Sequence, residues 1–131
     1  MSARMLKGTT AFSSFSAPDL AVIKLFYSDV LGLDVKETSE GLEVALGAGS
    51  SVFIYPSETN KPADFTVLNF IVDDVEGTVD QLTQKGVRME QYDMPQMKTD
   101  KKGILRSPHG PSAIAWFKDP AQNILAVIQE S

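Results

Sequence analysis

FSSFSAPDLAVIKLFYSDVLGLDV, residues Phe12 to Val35, holds in order an extended segment, a helix start, an amphipathic helix and a helix stop. Pro18 disfavours helical torsions at Ala17, so the chain enters extended, and the carboxylate of Asp19 is placed to accept from a free amide of the first turn. Val22, Leu25, Phe26, Val30 and Leu31 form an apolar stripe at helical spacing, with Lys24, Ser28 and Asp29 largely outside it. Gly32 supplies the left-handed stop.

The same order returns in FTVLNFIVDDVEGTVDQLTQKGV, which begins at Phe65. Asp74 takes the place of Asp19, Val75, Val79 and Leu82 make the stripe, and Gly86 takes the place of Gly32. Asp74 follows Asp19 by 55 residues and Gly86 follows Gly32 by 54, so the two units agree to within one residue. A long period that occurs only twice points to two copies of one supersecondary unit, since a solenoid needs more repeats for stability.

Between these anchors a short strand is expected within Thr9 to Ala17, with Phe12 on one face and Phe15 on the other; residues before Thr9 read as a loose leader. LDVKETS after Gly32 reads as a strand, GLEVALG alternates with Leu42, Val44 and Leu46 on one face, and SSVFIYP follows a Gly-rich turn. The first unit is therefore β-α-β-β-β over about residues 9–56, residues 57–64 form a polar linker, and the second unit covers about 65–131. The second unit continues through VRMEQY. From Asp93 to Ser112 the chain is rich in Pro, Gly and Lys, and only Gly103 to Arg106 reads as strand, the pattern of a binding loop or lid or of plain surface chain. AIAWFKDP and ILAVIQE, joined by a turn at Ala121, Gln122 and Asn123, read as a closing hairpin.

At 131 residues the chain is one domain's worth, and either half alone buries too little surface, so the halves are expected to share a core. A net charge of −5 argues against nucleic acid or an anionic membrane as partner; the Lys98, Lys101 and Lys102 cluster is interrupted by Asp100. With no cysteine, disulfide and thiolate chemistry are excluded, and the N-terminus lacks the apolar run of a secretion signal, so the expectation is a cytoplasmic protein. No Ser-His-Asp set or phosphate-cradling loop is present, and GAGS lies in a hairpin turn rather than before a helix.

FYSDVLGL after Asp19 and WFKDPAQNILAVIQ near the end, at matching places in a βαβββ repeat, resemble the vicinal oxygen chelate superfamily, the group of glyoxalases, bleomycin-resistance proteins and extradiol dioxygenases. The resemblance covers about Thr9 to Glu130 and implies an α+β fold in which two βαβββ units form a cup-shaped mixed sheet, ligand inside and helices outside. Metal-dependent members take His and Glu ligands from the first and last strand of each unit. The positions that match here are Phe12, Tyr55, Val67 and Ala126. Three offer only carbon, and the fourth is a phenol that holds its proton up to pH of about 10. No metal and no cofactor is therefore expected, and the Lewis-acid chemistry of glyoxalases and dioxygenases lacks its centre.

What remains resembles the metal-free drug-binding branch: a homodimer whose apolar, aromatic cup holds an organic, drug-like molecule. Strand alternation turns Phe12, Ser14, Phe53 and Tyr55 to the cup, with Asn69 beside Val67, and Ile124 and Ile128 beside Ala126. The ligand-binding candidates are Phe12, Phe53, Tyr55, Asn69, Met94, Arg106 and Trp116. Tyr55 and Trp116 suit stacking on a flat ring, Asn69 is an amide within an apolar strand, Met94 with Met97 suits an adaptable lid, and the Arg106 fork suits a carboxylate. Two alternatives stand beside this: a divergent lyase, isomerase or dioxygenase-related enzyme using Tyr55, Glu43 or His109, and an interaction module whose cup is filled by its own side chains. His109, between Pro and Gly, otherwise reads as a solvated loop residue and Glu43 as an exposed strand residue.

Overall fold

The structure, a computed structural model, describes residues 5–110 and 112–130. The first unit runs β1 (Ser13–Ala17), α1 (Leu20–Leu25), a π-helical turn (Phe26–Val30), β2 (Val35–Glu37), β3 (Leu42–Ala45) and β4 (Ser51–Pro56). The second runs β5 (Thr66–Ile71), α2 (Val75–Gln84), two short strands β6 (Asp93–Met94) and β7 (Met97–Lys98), then β8 (Ile104–Arg106), β9 (Ala113–Lys118) and β10 (Ile124–Gln129). Strand orders β1-β4-β3-β2 and β5-β10-β9-β8 are equivalent, and in each sheet the first strand lies parallel to the last. The α+β fold of two βαβββ units is thus the one the sequence predicts. Beside the two sheets β6 and β7 pair only with each other, and β1 and β5 do not pair.

Local chemistry sets both openings of the repeat. Asp19 is extended, and its carboxylate accepts from the amides of Ala21 at 3.1 Å and Val22 at 3.4 Å. Asp74, also extended, accepts from Gly77 at 3.2 Å. These bonds occupy amides that the first turn leaves without a carbonyl partner. Gly32 and Gly86, with φ of +76° and +90°, end the helical segments in the region where a side chain is disfavoured. Val75, Val79 and Leu82 are buried, as their spacing predicts.

The stripe expected on α1 is displaced. Ile23 and Tyr27 are buried, whereas Val22 and Leu25 are 45% and 60% exposed. The segment is apolar on nearly every side, so periodicity alone does not select a face. The sheet selects the line through Ile23 and Tyr27, and Phe26, Val30 and Leu31 pack partly buried beside it. Beyond Leu25 the turn widens, with the Leu31 amide bonded to the Phe26 carbonyl at 3.0 Å, a five-residue step.

Three further features of the second unit emerge from strand pairing. VRMEQY, through which the second unit continues, contributes an isolated bridge from Met89 to Phe117. Within the Asp93 to Ser112 stretch, β6 and β7 form a hairpin in addition to the expected strand at Ile104–Arg106. In β5 the ladder slips at Val67, which packs against the core instead of keeping step with Asn69.

One buried cluster draws on both units, including Phe15, Ile23, Tyr27, Val44 and Ile54 from the first and Val75, Val79, Ile104, Phe117 and Leu125 from the second. Its polar centre is a hub at the β9–β10 turn. Asp119 and Asn123 are each 2% exposed. The Asp119 carboxylate accepts from the Tyr27 hydroxyl at 2.8 Å, the Ala121 amide at 2.8 Å, and the Asn123 amide and side chain at 3.0 and 2.9 Å. The Asn123 side chain also donates to the Ser16 carbonyl at 3.1 Å. Burial, then the charge of Asp119 and the hydrogen bond to it, push the Tyr27 phenol far above its ordinary range. The linker is fastened to the same place: Ser16 Oγ donates to Asn60 Oδ1, and Asn60 Nδ2 reaches the Ala121 carbonyl at 3.4 Å.

Candidate functional site: the open sheet faces

Each sheet has one face turned to the helices and one turned away, and the side chains that sequence alternation assigns to the cup lie on the latter, except Val67, which the slip in β5 turns to the core. In the first sheet, register places Ser14, Phe53, Glu43 and Lys36 in one row across β1, β4, β3 and β2, with Ser16 beside Tyr55. The rows between them carry the buried Phe15, Ile54 and Leu42. Phe12, just ahead of β1, is exposed and meets Phe53 edge-on at 6.5 Å between centroids. Phe12, Phe53 and Tyr55 therefore share a face, and Glu43 stands exposed in the same row.

In the second sheet one row joins Asn69, Ala126 and Trp116. The next row on that face joins Ile71, Ile128, Ile114 and Leu105, four apolar side chains of which Ile71 is 70% exposed. Sequence reasoning missed Ile71, Ile114 and Leu105. Their alternation was legible, but not which strands would lie side by side. Tyr92 was missed as well: its ring stands edge-on to Trp116, with centroids 5.4 Å apart and planes at 88°. The Thr99 hydroxyl and amide hold the Tyr92 backbone at 2.9 Å each. Partial burial, then the carboxylate of Glu90, raise the Tyr92 phenol above its ordinary value.

Met94 sits in the β6–β7 hairpin opposite Met97 and is half exposed. Arg106 does not join the cup face. It pairs with Ala113, whose side chain is buried toward the helices, so it leans toward α2. There its guanidinium meets Glu76 at 2.7 Å and Asp100 at 3.5 Å, which corrects its assignment as a free anion-gripping group. Glu76 is also bridged by Lys102 at 3.1 Å, and hydrogen bonds from Lys102 and then Arg106 hold its carboxyl below the usual range. His109 lies exposed in a turn, where its amide donates to Ser107 Oγ.

A groove of about 1190 Å³ lies elsewhere, beside the π-helical turn, with Phe26, Val30, Val87 and Met89 among its lining. It contains none of the seven sequence-derived candidates, and three of its lysines are engaged: Lys85 on the Asp29 carbonyl, Lys102 on Glu76 and Asp80, Lys118 on Glu90. A smaller apolar cavity of about 150 Å³ lies in the core between Leu31, Phe70, Leu82 and Phe117. The open faces carry the better case. The second-sheet face carries aliphatic and aromatic side chains in neighbouring rows, and the first-sheet face sets Phe12, Phe53 and Tyr55 among the polar Ser14, Glu43 and Lys36.

The donor set does not suit a resident metal. Of the positions that would ligate, Val67 packs with the core, Ala126 is a buried methyl and Phe12 is a hydrocarbon ring, leaving the Tyr55 phenol alone. Among the described residues no three His, Asp or Glu side chains converge to hold an ion. Nor, among them, is any helix long and apolar enough to cross a membrane.

Comparison with known proteins fits this fold. No curated protein sequence matches the chain. Among solved structures, the antibiotic binding protein TnmS3 from Streptomyces sp. CB03234 is similar at 27% identity and a TM-score of 0.64, with 95% of this chain and 98% of that one covered. Lactoylglutathione lyase from Agrobacterium tumefaciens superposes at a TM-score of 0.67 with 18% identity over 94% of each chain. The fosfomycin resistance protein FosX from Listeria monocytogenes does so at 0.71 with 11% identity, over 94% of this chain and 93% of that one. Both show the same fold. Residues 13–127 match the model of the Glyoxalase/Bleomycin resistance protein/Dioxygenase superfamily, and the chain belongs to that superfamily.

Proposed function

We propose that the protein binds an organic, ring-bearing small molecule without a metal, in a cup that two copies of the chain close together. The observation that carries this is the composition of the open faces: Phe12, Phe53 and Tyr55 on one, Asn69, Trp116 and the isoleucine row on the other, where ligating side chains would serve a metal enzyme. Binding pockets for organic molecules combine apolar and aromatic walls with a few polar groups that orient the ligand. The similarity to an antibiotic binding protein supports the same reading.

Exposure argues for the second copy. The contacts that join the halves within one chain, Tyr27 to Asp119, Asn123 to Ser16 and Phe26 to Phe117, centre on the first helical segment and the β9–β10 turn. Both cup faces are left open, with Phe12, Tyr55 and Ile71 exposed, and patches of this kind mark association or ligand surfaces. A homodimer that set the first-unit face of one chain against the second-unit face of the other would enclose both.

The test is a thermal-shift screen of aromatic and glycopeptide-like compounds against purified protein, with metal analysis in parallel. Binding to the native state raises the melting temperature. Stabilisation by ring-bearing compounds, unchanged by chelator, is the expected outcome. A panel without any shift at high concentration, or stoichiometric metal that chelator removes along with activity, overturns the proposal.

A further inference from the structure

We propose that Trp116 and Tyr92 form a hydrogen-bonding aromatic subsite, one that takes a flat ring system carrying an acceptor such as a carbonyl at its edge. The inference rests on the small-molecule reading above and names the part of the ligand that the second sheet grips.

Four observations converge on it. Trp116 is flanked in its row by Ala126, the smallest side chain on that face, which Asn69, Trp116 and the neighbouring isoleucines leave with no exposed surface. The small Ala126 lies covered between Asn69 and Trp116, so the partly exposed indole itself offers the ring surface of that row. Tyr92 stands at right angles to it in an edge-to-face contact, so the two rings meet at a corner and fix each other's orientation. The corner is built rather than incidental, because Thr99 bonds the Tyr92 backbone on both its amide and its carbonyl, with the β6–β7 hairpin between the two residues. Finally, among the described residues no hydrogen bond is made by the Tyr92 hydroxyl, the Trp116 indole N–H or the Asn69 side-chain amide.

The last point separates a subsite from a patch of core. Buried tyrosine and tryptophan normally spend their polar tips on a protein partner, as Tyr27 does on Asp119. Here Tyr92 and Trp116 are partly buried and Asn69 is exposed, and their three donors are left for solvent or a ligand. A phenol is a donor across the neutral range, and partial burial, then Glu90, extend that to higher pH for Tyr92. A ring stacked on Trp116 with its carbonyl toward Tyr92 satisfies the shape and the hydrogen bond together.

Trp116 is the only tryptophan of the chain, so its fluorescence reports on this corner alone. The probes are fluorenone carboxylate and fluorene carboxylate, equally flat molecules that differ in the ring carbonyl. Both are expected to quench Trp116, the fluorenone at about 3–10-fold lower concentration, the range of one net hydrogen bond. Tyr92→Phe keeps the ring and should erase the preference without changing the melting temperature, whereas Leu25→Lys, on the helix side, should retain it. Absence of quenching by both probes at millimolar concentration overturns the subsite, as does a preference that survives Tyr92→Phe. Compounds that raise the melting temperature without touching Trp116 emission would sink the subsite and leave the binding function standing. No shift and no quenching by any compound would sink both.

Discussion

The Tyr27 hydroxyl donates to Oδ2 of Asp119 across 2.8 Å, joining residues 92 positions apart, with both side chains buried. This bond ties the FY motif after α1 to the DPAQN motif of the closing hairpin. It explains why the two motifs most suggestive of the family are structural: they latch one unit to the other. Neither Tyr27 nor Asp119 lies among the rows of the open faces, although Trp116 and Ala126, which flank DPAQN, do.

Tyr27→Phe removes one donor from a buried carboxylate while keeping the ring that meets Phe15 and Phe26. The unfolding free energy should fall by about 1–3 kcal/mol, the cost of leaving a buried polar group short of a partner. Urea denaturation at neutral pH measures it. An unchanged midpoint would mean that the hub does not hold the halves together.

Alkaline pH tests the same contact from the other side. The unfolded phenol releases its proton near pH 10.0, while burial and Asp119 make folded Tyr27 keep it far higher. Above that pH the unfolded state binds fewer protons than the folded one, so Tyr27's contribution to stability should decline by up to about 1.4 kcal/mol per pH unit. Below it the contribution is complete. The stability gap between wild type and Tyr27→Phe, followed by urea melts, is expected to narrow as pH rises through this range.

Two neighbours on α1 should behave oppositely. Ile23→Ala removes a fully buried side chain and is expected to cost about 2–5 kcal/mol, cavity included. Leu25→Lys alters a side chain that is 60% exposed and should change stability by no more than about 0.5 kcal/mol. The reverse order in denaturant midpoints would restore the stripe suggested by periodicity alone.

If two chains close the cup, Ile71→Asp should weaken their association by at least about tenfold, since a carboxylate loses hydration in an apolar interface. Light scattering should give a dimer mass for wild type and a monomer mass for the variant, with circular dichroism unchanged. Ligand-induced thermal shifts should fall together with the dimer. A wild-type protein that is monomeric with ligand bound would rule out closure by a second copy.

Arg106 supplies a control for these experiments. It stands in exposed ion pairs with Glu76 and Asp100, beside α2. Arg106→Ala should leave ligand-induced thermal shifts as they are in wild type; their loss would return this residue to the binding surface.

By itself the sequence determined whatever is encoded within a few residues. Asp19 and Asp74 as caps, Gly32 and Gly86 as stops, the turn before Asn123 and the duplicated βαβββ order follow from torsional preferences and bonds to adjacent amides. Parity along a strand likewise put Phe12, Phe53 and Tyr55 on one face, and the absence of ligating side chains at the family's metal positions was visible at once. Tertiary structure decided which strands lie side by side. It turned α1 onto Ile23 and Tyr27, slipped Val67 out of step, sent Arg106 to the helix side, and brought Tyr92 to Trp116. An apolar segment offers several faces that local preferences hardly distinguish, and choosing among them takes contacts between distant positions, as in the bonds of Asn123 to Ser16 and Tyr27 to Asp119, 107 and 92 residues apart.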